Sequence, residues 1–294
     1  MPRALHILPD FEGCMLGNGD YHIARYIASG GYGKVYSALK VSSSTSVAIK
    51  CLRKPVQHSR EGEFLMHELS LHQRVSGHPN IVSIHEIIET DSYVFVVLDL
   101  CEDGDLHSAI ERRAFDRNDE AIRTVFVQLL NAVEHCHDSG VYHRDLKPEN
   151  IMCSEDHQIR LADFGLSTDK DVCSDGECGS EYYMSPECLE SKDGTSYHAV
   201  HNDIWALGII LLNILTGLNP WRSASLSDPS YRKYVHSPTS HLRNHYSMLS
   251  EDVLRILGQM LCSEPHSRIG IPALRMEIQR LCTFYSAKDL TDGF

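Results

Sequence analysis

The sequence predicts an α+β protein of two unequal lobes, a small β-rich lobe with one main helix followed by a larger helical lobe. Three observations carry that expectation. The chain has 294 residues, more than the roughly 100–200 of a typical single domain. From Tyr21 to about Leu98, apolar residues mostly alternate with polar ones, the period of half-buried strands. After Cys101 the spacing lengthens to the three-and-four rhythm of helices.

Taken in order, the first strand starts at Tyr21 and runs into the glycines Gly30, Gly31 and Gly33. Val35–Leu39 reads as a returning strand and Ser46–Cys51 as a third. Arg60 to Val75 interrupts them as a helix, with Phe64, Leu71 and Val75 on an apolar face beside Leu65 and Leu69, and Gly77-His78-Pro79-Asn80 ends it. Two more strands follow around Ile84–Ile88 and Tyr93–Leu98. In the second part, helical patterns cover Glu120–His137, Asp203–Thr216, Glu251–Leu261 and Ile271–Leu281. Between the first two of these lies a polar stretch from Tyr142 to Pro186. It is too long for an ordinary connection, and long structured loops are where function concentrates. The expected organisation is an N-terminal extension over 1–20, a first lobe over 21–98, a hinge over 99–104, a second lobe over 105–283 and a tail over 284–294. A cleft between such lobes is a natural ligand site.

Hydrophobic residues make up 42% and charged residues 23%, which excludes collagen-like and wholly disordered chains. The formal charge is −13, unevenly spread: residues 1–100 carry 9 basic and 10 acidic side chains, residues 101–294 carry 18 and 30. An acidic surface repels polyanions, so the sequence argues against nucleic acid and anionic membranes and is easier to reconcile with a cationic polypeptide. Met1–Leu8 lacks a secretory pattern. The most apolar stretch, Ile204–Leu218, reads as too short for a membrane span and contains Asn213. Ten cysteines without regular spacing predict reduced thiols and a cytoplasmic and/or nuclear location. His135-Cys136-His137 reads as structural, because neighbours on a helix do not share a face.

Residues 28–33 read Ala28-Ser29-Gly30-Gly31-Tyr32-Gly33, a turn whose glycines let backbone N–H groups approach phosphate oxygens. A dinucleotide site would need a helix next, and Lys34-Val35-Tyr36 reads as a strand. Val47-Ala48-Ile49-Lys50 puts an ammonium beside that turn, and Glu68 on the helix is an acid that could fix it. Then come Tyr142-His143-Arg144-Asp145-Leu146-Lys147-Pro148-Glu149-Asn150 and Asp163-Phe164-Gly165.

These segments, in this order, resemble the glycine-rich loop, strand lysine, helix glutamate, catalytic loop and metal-binding motif of protein kinases. Ser185-Pro186-Glu187 resembles the end of their activation segment, Asp203-Ile204-Trp205-Ala206-Leu207-Gly208 the start of their central helix, and Arg268 the partner of Glu187. The resemblance runs from about Tyr21 to Leu281 and implies a bilobal kinase fold that transfers the γ-phosphate of ATP with Mg²⁺. By that resemblance Asp145 takes or orients the proton of the acceptor hydroxyl, Lys147 stabilises the phosphate in flight, and Asn150 and Asp163 hold Mg²⁺. Lys50, fixed by Glu68, holds the inner phosphates under the loop of Ala28, Gly30 and Gly33. Leu98 stands as gatekeeper, Asp99 and Cys101 as hinge residues on the adenine edge, Asp105 at the ribose, and Val35, Ala48 and Met152 around the base. Lys147 and the Gly179-Ser180 pair resemble serine/threonine kinases, which implies protein substrates with Ser or Thr acceptors. Val96–Cys101, His135–His137 and Tyr183–Cys188 resemble a fungal subgroup linked to nutrient response and meiotic control.

The sequence departs from the family at Ala28, where a glycine is usual, and at Ser185, where alanine is usual. In the activation segment Gly176 stands where the phosphorylated threonine would fall. One expectation is that Glu177 or Asp175 pairs with Arg144 in place of phosphate; the other is that Ser174 or Thr168 is phosphorylated. Asp105 and Glu149 imply a modest preference for basic residues upstream of the acceptor, with neutral Asn213 where a third acid could stand. A catalytically dead scaffold and a small-molecule kinase are the rival readings.

Overall fold

A computed structural model describes residues 8–30, 33–176, 178–191 and 195–286. They divide into two compact units, one ending in Val82–Glu102 and including the chain up to His78, the other comprising Pro79–Ile81 and everything from Asp103 onward.

The first unit is a six-stranded antiparallel sheet and one helix. Its elements are β1 (Met15–Leu16), β2 (Tyr21–Gly30), β3 (Gly33–Lys40), β4 (Thr45–Arg53), α1 (Arg60–Val75), β5 (Ile84–Glu89) and β6 (Tyr93–Asp99), with sheet order β1-β2-β3-β4-β6-β5. The register decides which side chains share a face. Val35 pairs with Lys50, Ala48 with Leu98, and Lys50 with Val96. Directly opposed residues project to one side of a sheet, so Val35, Ala48, Lys50 and Leu98 lie on a common face. That face continues into Leu52, Val94 and Val96, which pack with Leu65 and Leu69 of α1. The other face buries Tyr36, Val47, Ile49, Cys51, Phe95 and Val97.

Ser59 caps α1 by accepting a hydrogen bond from the Gly62 N–H at 3.1 Å, and Glu61 and Glu63 favour the positive end of the helix dipole. Leu65, Leu69 and His72 follow the i, i+4, i+7 spacing and set the inward side. Phe64, expected on the apolar face, is instead 60% exposed, with the Arg60 guanidinium over its ring.

Residues ahead of Tyr21 are part of the sheet unit. Met15 and Leu16 pair with His22 and Tyr21. Phe11 is buried in the outer core and meets Tyr36, Tyr93 and Phe95 edge-on at 6.3, 5.0 and 5.2 Å.

The second unit contains α2 (Leu106–Glu111), α3 (Asp119–Asp138), β7 (Ile151–Cys153), β8 (Ile159–Leu161), β9 (Val172–Cys173), α4 (Pro186–Glu190), β10 (Tyr197–His198), α5 (Ala199–Thr216), α6 (Pro229–His236), α7 (Pro238–His245), α8 (Glu251–Met260) and α9 (Ile271–Arg280). Among the described residues α5 alone is long and apolar enough to cross a membrane. It has 18 residues with mean hydropathy 1.4, longer than the stretch read from sequence. Its apolar character serves the core, since 83% of it is buried inside the protein. Part of the expected tail also packs: Phe284 and Tyr285 are buried, and Phe284 N–H donates to Asp119 at 3.0 Å. Residues 287–294 lie outside the described residues. Burial pushes the thiols of Cys51 and Cys188 up, to about 12 and about 11, so both pack as neutral apolar groups.

Phe11→Ala removes an aromatic side chain from a packed core, for which the loss is about 3–5 kcal/mol. Denaturant unfolding is expected to show at least about 3 kcal/mol of destabilisation; a change under about 0.5 kcal/mol, typical of surface positions, would show that the stretch ahead of Tyr21 is only an appendage.

Candidate active site

Each unit contributes a set of the residues singled out above. In the sheet unit, Lys50 projects from β4 onto the face covered by α1. Glu68 lies on the inward side of that helix, between Leu65 and His72. Its carboxylate accepts from Lys50 Nζ at 3.1 Å, with the two side chains 29% and 20% exposed. A carboxylate on a helix face that buries leucines needs a cation, and the register supplies it. At the mouth of the β2–β3 hairpin Gly30 pairs with Gly33, and Ala28 pairs with Val35 after an irregularity in register. A Cβ on Gly33 would lie 2.6 Å from the Cys51 carbonyl, so the close approach of β3 and β4 admits only glycine there. Gly31 and Tyr32 lie outside the described residues. Leu98 is half-buried on β6. Asp99, which follows it, donates its N–H to the Ser83 carbonyl at 3.2 Å and accepts from Ser83 N–H and the His85 ring. Cys101 is half-buried.

In the helical unit, the catalytic-loop residues are gathered by one buried carboxylate. Asp203, at the first full turn of α5 and fully buried, accepts the backbone N–H groups of His143 (3.0 Å) and Arg144 (2.9 Å). The same carboxylate pairs with His137 Nε2 at 2.9 Å. These bonds hold Arg144 at φ +65°, a left-handed conformation that costs a non-glycine residue roughly 1–2 kcal/mol. The bend brings Asp145 forward into a ring of donors. Its Oδ2 accepts from Lys147 Nζ (2.7 Å) and Asn150 Nδ2 (3.1 Å), and its Oδ1 accepts from the Ser180 N–H (2.9 Å) and hydroxyl (3.0 Å). Lys147 Nζ also donates to the Ser180 hydroxyl at 3.0 Å. Donors on both oxygens fix this carboxylate in orientation.

Asn150 donates a second bond, to the Asp145 carbonyl at 2.9 Å. With its amide nitrogen committed, its side-chain oxygen is the group left to accept. Asp163 stands at φ +61° and accepts from the Gly165 N–H at 3.3 Å. An amide oxygen and a carboxylate are the hard donors that Mg²⁺ takes together with phosphate oxygens, so both residues fit that ion. Met152 on β7 is bridged to Asp105. Asp105 caps α2, accepting from the Ser108 N–H at 2.7 Å, so one of its oxygens has a structural task alongside the ribose contact expected of it.

The activation segment meets the same loop. Gly179 has φ +111°, and a Cβ there would sit 2.6 Å from the Arg144 carbonyl. The Arg144 guanidinium is 8% exposed. It donates to Asp175 Oδ1 at 2.8 Å, to the Leu166 carbonyl at 2.8 Å and to the Tyr197 hydroxyl at 3.4 Å. Of the two acids expected to meet Arg144, the structure places Asp175 there; Glu177 lies outside the described residues. Thr168, one of the two hydroxyls considered for phosphorylation, is buried, and its Oγ1 accepts from the Lys170 N–H at 3.2 Å. Ser174 is exposed. Further along, buried Arg268 forms a bidentate pair with Glu187 at 2.5 and 2.8 Å and stacks over Trp205.

A protein kinase domain model matches residues 21–277. The chain belongs to the protein kinase domain family. Members of this family use ATP and Mg²⁺ as substrate and cofactor. The kinase domain is 41% identical over 271 residues to the negative regulator of sexual conjugation and meiosis of Schizosaccharomyces pombe, covering 84% of this chain and 57% of that protein. It is 34% identical over 267 residues to the serine/threonine-protein kinase ksp1 of the same organism, at 86% and 55% coverage. With CBL-interacting serine/threonine-protein kinase 5 of Arabidopsis thaliana it shares 33% over 263 residues, at 87% and 57%. The chain thus spans a little over half the length of these relatives.

Three residues that hold the kinase domain's catalytic loop were not singled out as site residues from sequence: Asp203, Gly179 and Ser180. Their signal was present as polar or glycine positions within the Asp203–Gly208 and Gly179–Ser180 motifs, but their partners lie 33–66 positions away and become visible only in the fold.

Gly179→Ala is expected to lower phosphate transfer about 100-fold, the cost of a displacement near 1 Å at a catalytic group, and to cost about 1–3 kcal/mol of stability through backbone strain. Asp175→Asn is expected to reduce kcat by about two- to fivefold, since an ion pair with one exposed partner contributes below ~1 kcal/mol. Both are read by initial-rate kinetics. Unchanged rates for Gly179→Ala would contradict the packing, and unchanged rates for Asp175→Asn would remove its role at Arg144.

Proposed function

We propose that this kinase domain is an active serine/threonine kinase that transfers the γ-phosphate of ATP to Ser or Thr hydroxyls of protein substrates. The observation that carries the reading is the set of donors around Asp145, joined by the preformed Lys50–Glu68 pair. A scaffold without catalysis has no need to keep a lysine, an amide and a hydroxyl all directed at one carboxylate.

In the proposed reaction Asp145 orients the acceptor hydroxyl and takes its proton as the oxygen forms a bond to the γ-phosphorus. The bond from that phosphorus to the β–γ bridging oxygen breaks, and ADP leaves with the electron pair. Lys147 lies within 2.7 Å of Asp145, where its ammonium can offset charge on the phosphate in transfer. Lys50 binds the inner phosphates. Mg²⁺, when bound, neutralises further phosphate charge, with Asn150 and Asp163 as its protein donors. The protein's contribution is position and electrostatics rather than covalent chemistry.

The Arg144–Asp175 pair supports activity without a phosphate on the activation segment, because the guanidinium that would receive one already has a carboxylate. Glu149, exposed at the end of the catalytic loop, supports a modest preference for Arg or Lys upstream of the acceptor. Asn213 adds nothing to it. Asn213 is buried, donates to the Leu218 carbonyl and Asn219, and accepts from the Tyr183 hydroxyl at 2.9 Å. We also place the protein in the cytoplasm or nucleus, where its buried thiols stay reduced.

Unphosphorylated protein should phosphorylate an unbiased peptide library in Mg-ATP, and Asp145→Asn should lower that rate by about 10²–10⁴-fold, the span of general-base contributions. Glu149→Ala should cut the discrimination in favour of an upstream Arg by about two- to fivefold, as for an exposed ion pair. Inert wild-type protein, an equally active Asp145→Asn variant, or a preference for acidic or proline-flanked acceptors would each refute the corresponding part of the proposal.

A further inference from the structure

Within the acidic part of the chain lies a basic island. Residues 219–246 hold four Lys or Arg (Arg222, Arg232, Lys233 and Arg243) against the single acid Asp228, whereas the rest of residues 101–294 holds 14 against 29. Asp228 is turned to local structure: its carboxylate accepts the N–H groups of Arg222, Ser230 and Tyr231. Helix α6 buries Tyr231 and Tyr234 against the unit and so turns Arg232, Lys233 and His236 outward. Among the described residues Arg222, Arg232 and Lys233 form no salt bridge, and Arg243 pairs with Glu251. The island continues onto α7. His241, whose pKa is pushed down by burial, by His245 and by Lys233, stacks its ring on that of His245 at 4.0 Å.

A second observation bears on what this surface meets. Leu226, 58% exposed, stands at the edge of the island, where its carbonyl accepts a long bond from Arg232 at 3.5 Å. An exposed leucine beside unpaired cations is a poor match for a polyphosphate and a good one for a polypeptide that offers carboxylates and an apolar side chain together.

We propose that the outward faces of α6 and α7, with Leu226 at their edge, dock a protein partner through a segment rich in Asp and Glu that carries an apolar side chain. The charge pattern fixes the choice. Such a segment is repelled by the net acidic charge of the rest of this unit and attracted by the island, so the same field favours docking here. None of these side chains is among the donors around Asp145, and a partner held here need not be the segment that is phosphorylated.

The test is fluorescence anisotropy of a short labelled peptide of Glu, Asp and Gly around a central Leu, titrated with the full chain at low ionic strength. Saturable binding is expected. Arg232→Glu with Lys233→Glu should weaken it about tenfold or more, as two exposed pairs of up to ~1 kcal/mol turned repulsive would do. Replacing the peptide's Leu by Ser should weaken it severalfold, and Arg280→Glu, an exposed cation at the far end of α9, should leave it within about twofold. The readout requires no ATP, so it stands whether or not the protein transfers phosphate. The proposal is overturned by no binding to the wild type, by equal binding to the double variant, by equal weakening in Arg280→Glu, or by tight binding of a single-stranded oligonucleotide where the peptide fails.

Discussion

The buried carboxylate of Asp203 is the constraint on which the geometry of the site depends. It reaches from the core helix α5 to two consecutive backbone N–H groups, His143 and Arg144, and to the His137 ring. A carboxylate out of water must be matched by donors, and here the donors are the backbone of the loop that carries Asp145. The most apolar, mostly buried helix α5 therefore dictates the path of the loop that carries Asp145. From that path follow the left-handed Arg144, the forward position of Asp145, and the close passage of Gly179 across the Arg144 carbonyl.

Arg144 stands at the crossing of two requirements. Its backbone is held by Asp203, while its guanidinium gathers Asp175, the Leu166 carbonyl and Tyr197 from the activation segment and the strand beyond it. The loop that carries Asp145 and the activation segment are thereby fixed to the same residue. The charge distribution shows a similar economy. Some acids of the helical unit, Asp145, Asp163, Asp175 and Asp203, each meet a specific donor. The stretch 219–246, with Asp228 as its single acid, turns Arg222, Arg232 and Lys233 outward.

Much of this was legible in the sequence. The sheet and its helix follow from period-2 and period-3.6 patterns, and Lys50, Glu68, Asp145, Lys147, Asn150 and Asp163 stand in segments that resemble kinase motifs; the fold brings Lys50 to Glu68 and brings Lys147 and Asn150 to Asp145. The exposed side of α1 was misjudged at Phe64, because two helical stripes compete there and only the sheet decides which is covered. The stretch ahead of Tyr21 was expected as an extension; the packing of Phe11 shows only in the fold, because its three aromatic partners, Tyr36, Tyr93 and Phe95, come from distant strands. Helices α2, α4, α6 and α7 are short and rich in polar residues, so their stability rests on caps and packing more than on periodicity. The role of Asp203 was hidden for a simpler reason: its donors lie 59–66 positions earlier in the chain.

The most direct test of this account is kcat for a serine peptide measured on Asp203→Asn beside the wild type. An asparagine offers one oxygen where two are used and turns an NH₂ toward backbone N–H groups, so the loop loses its fixed path while Lys50 and Glu68 are untouched. The account predicts a fall in kcat of about 100-fold, the penalty for misplacing a catalytic group by about 1 Å, with the KM for ATP within about twofold. An Asp203→Asn enzyme as fast as the wild type would contradict it.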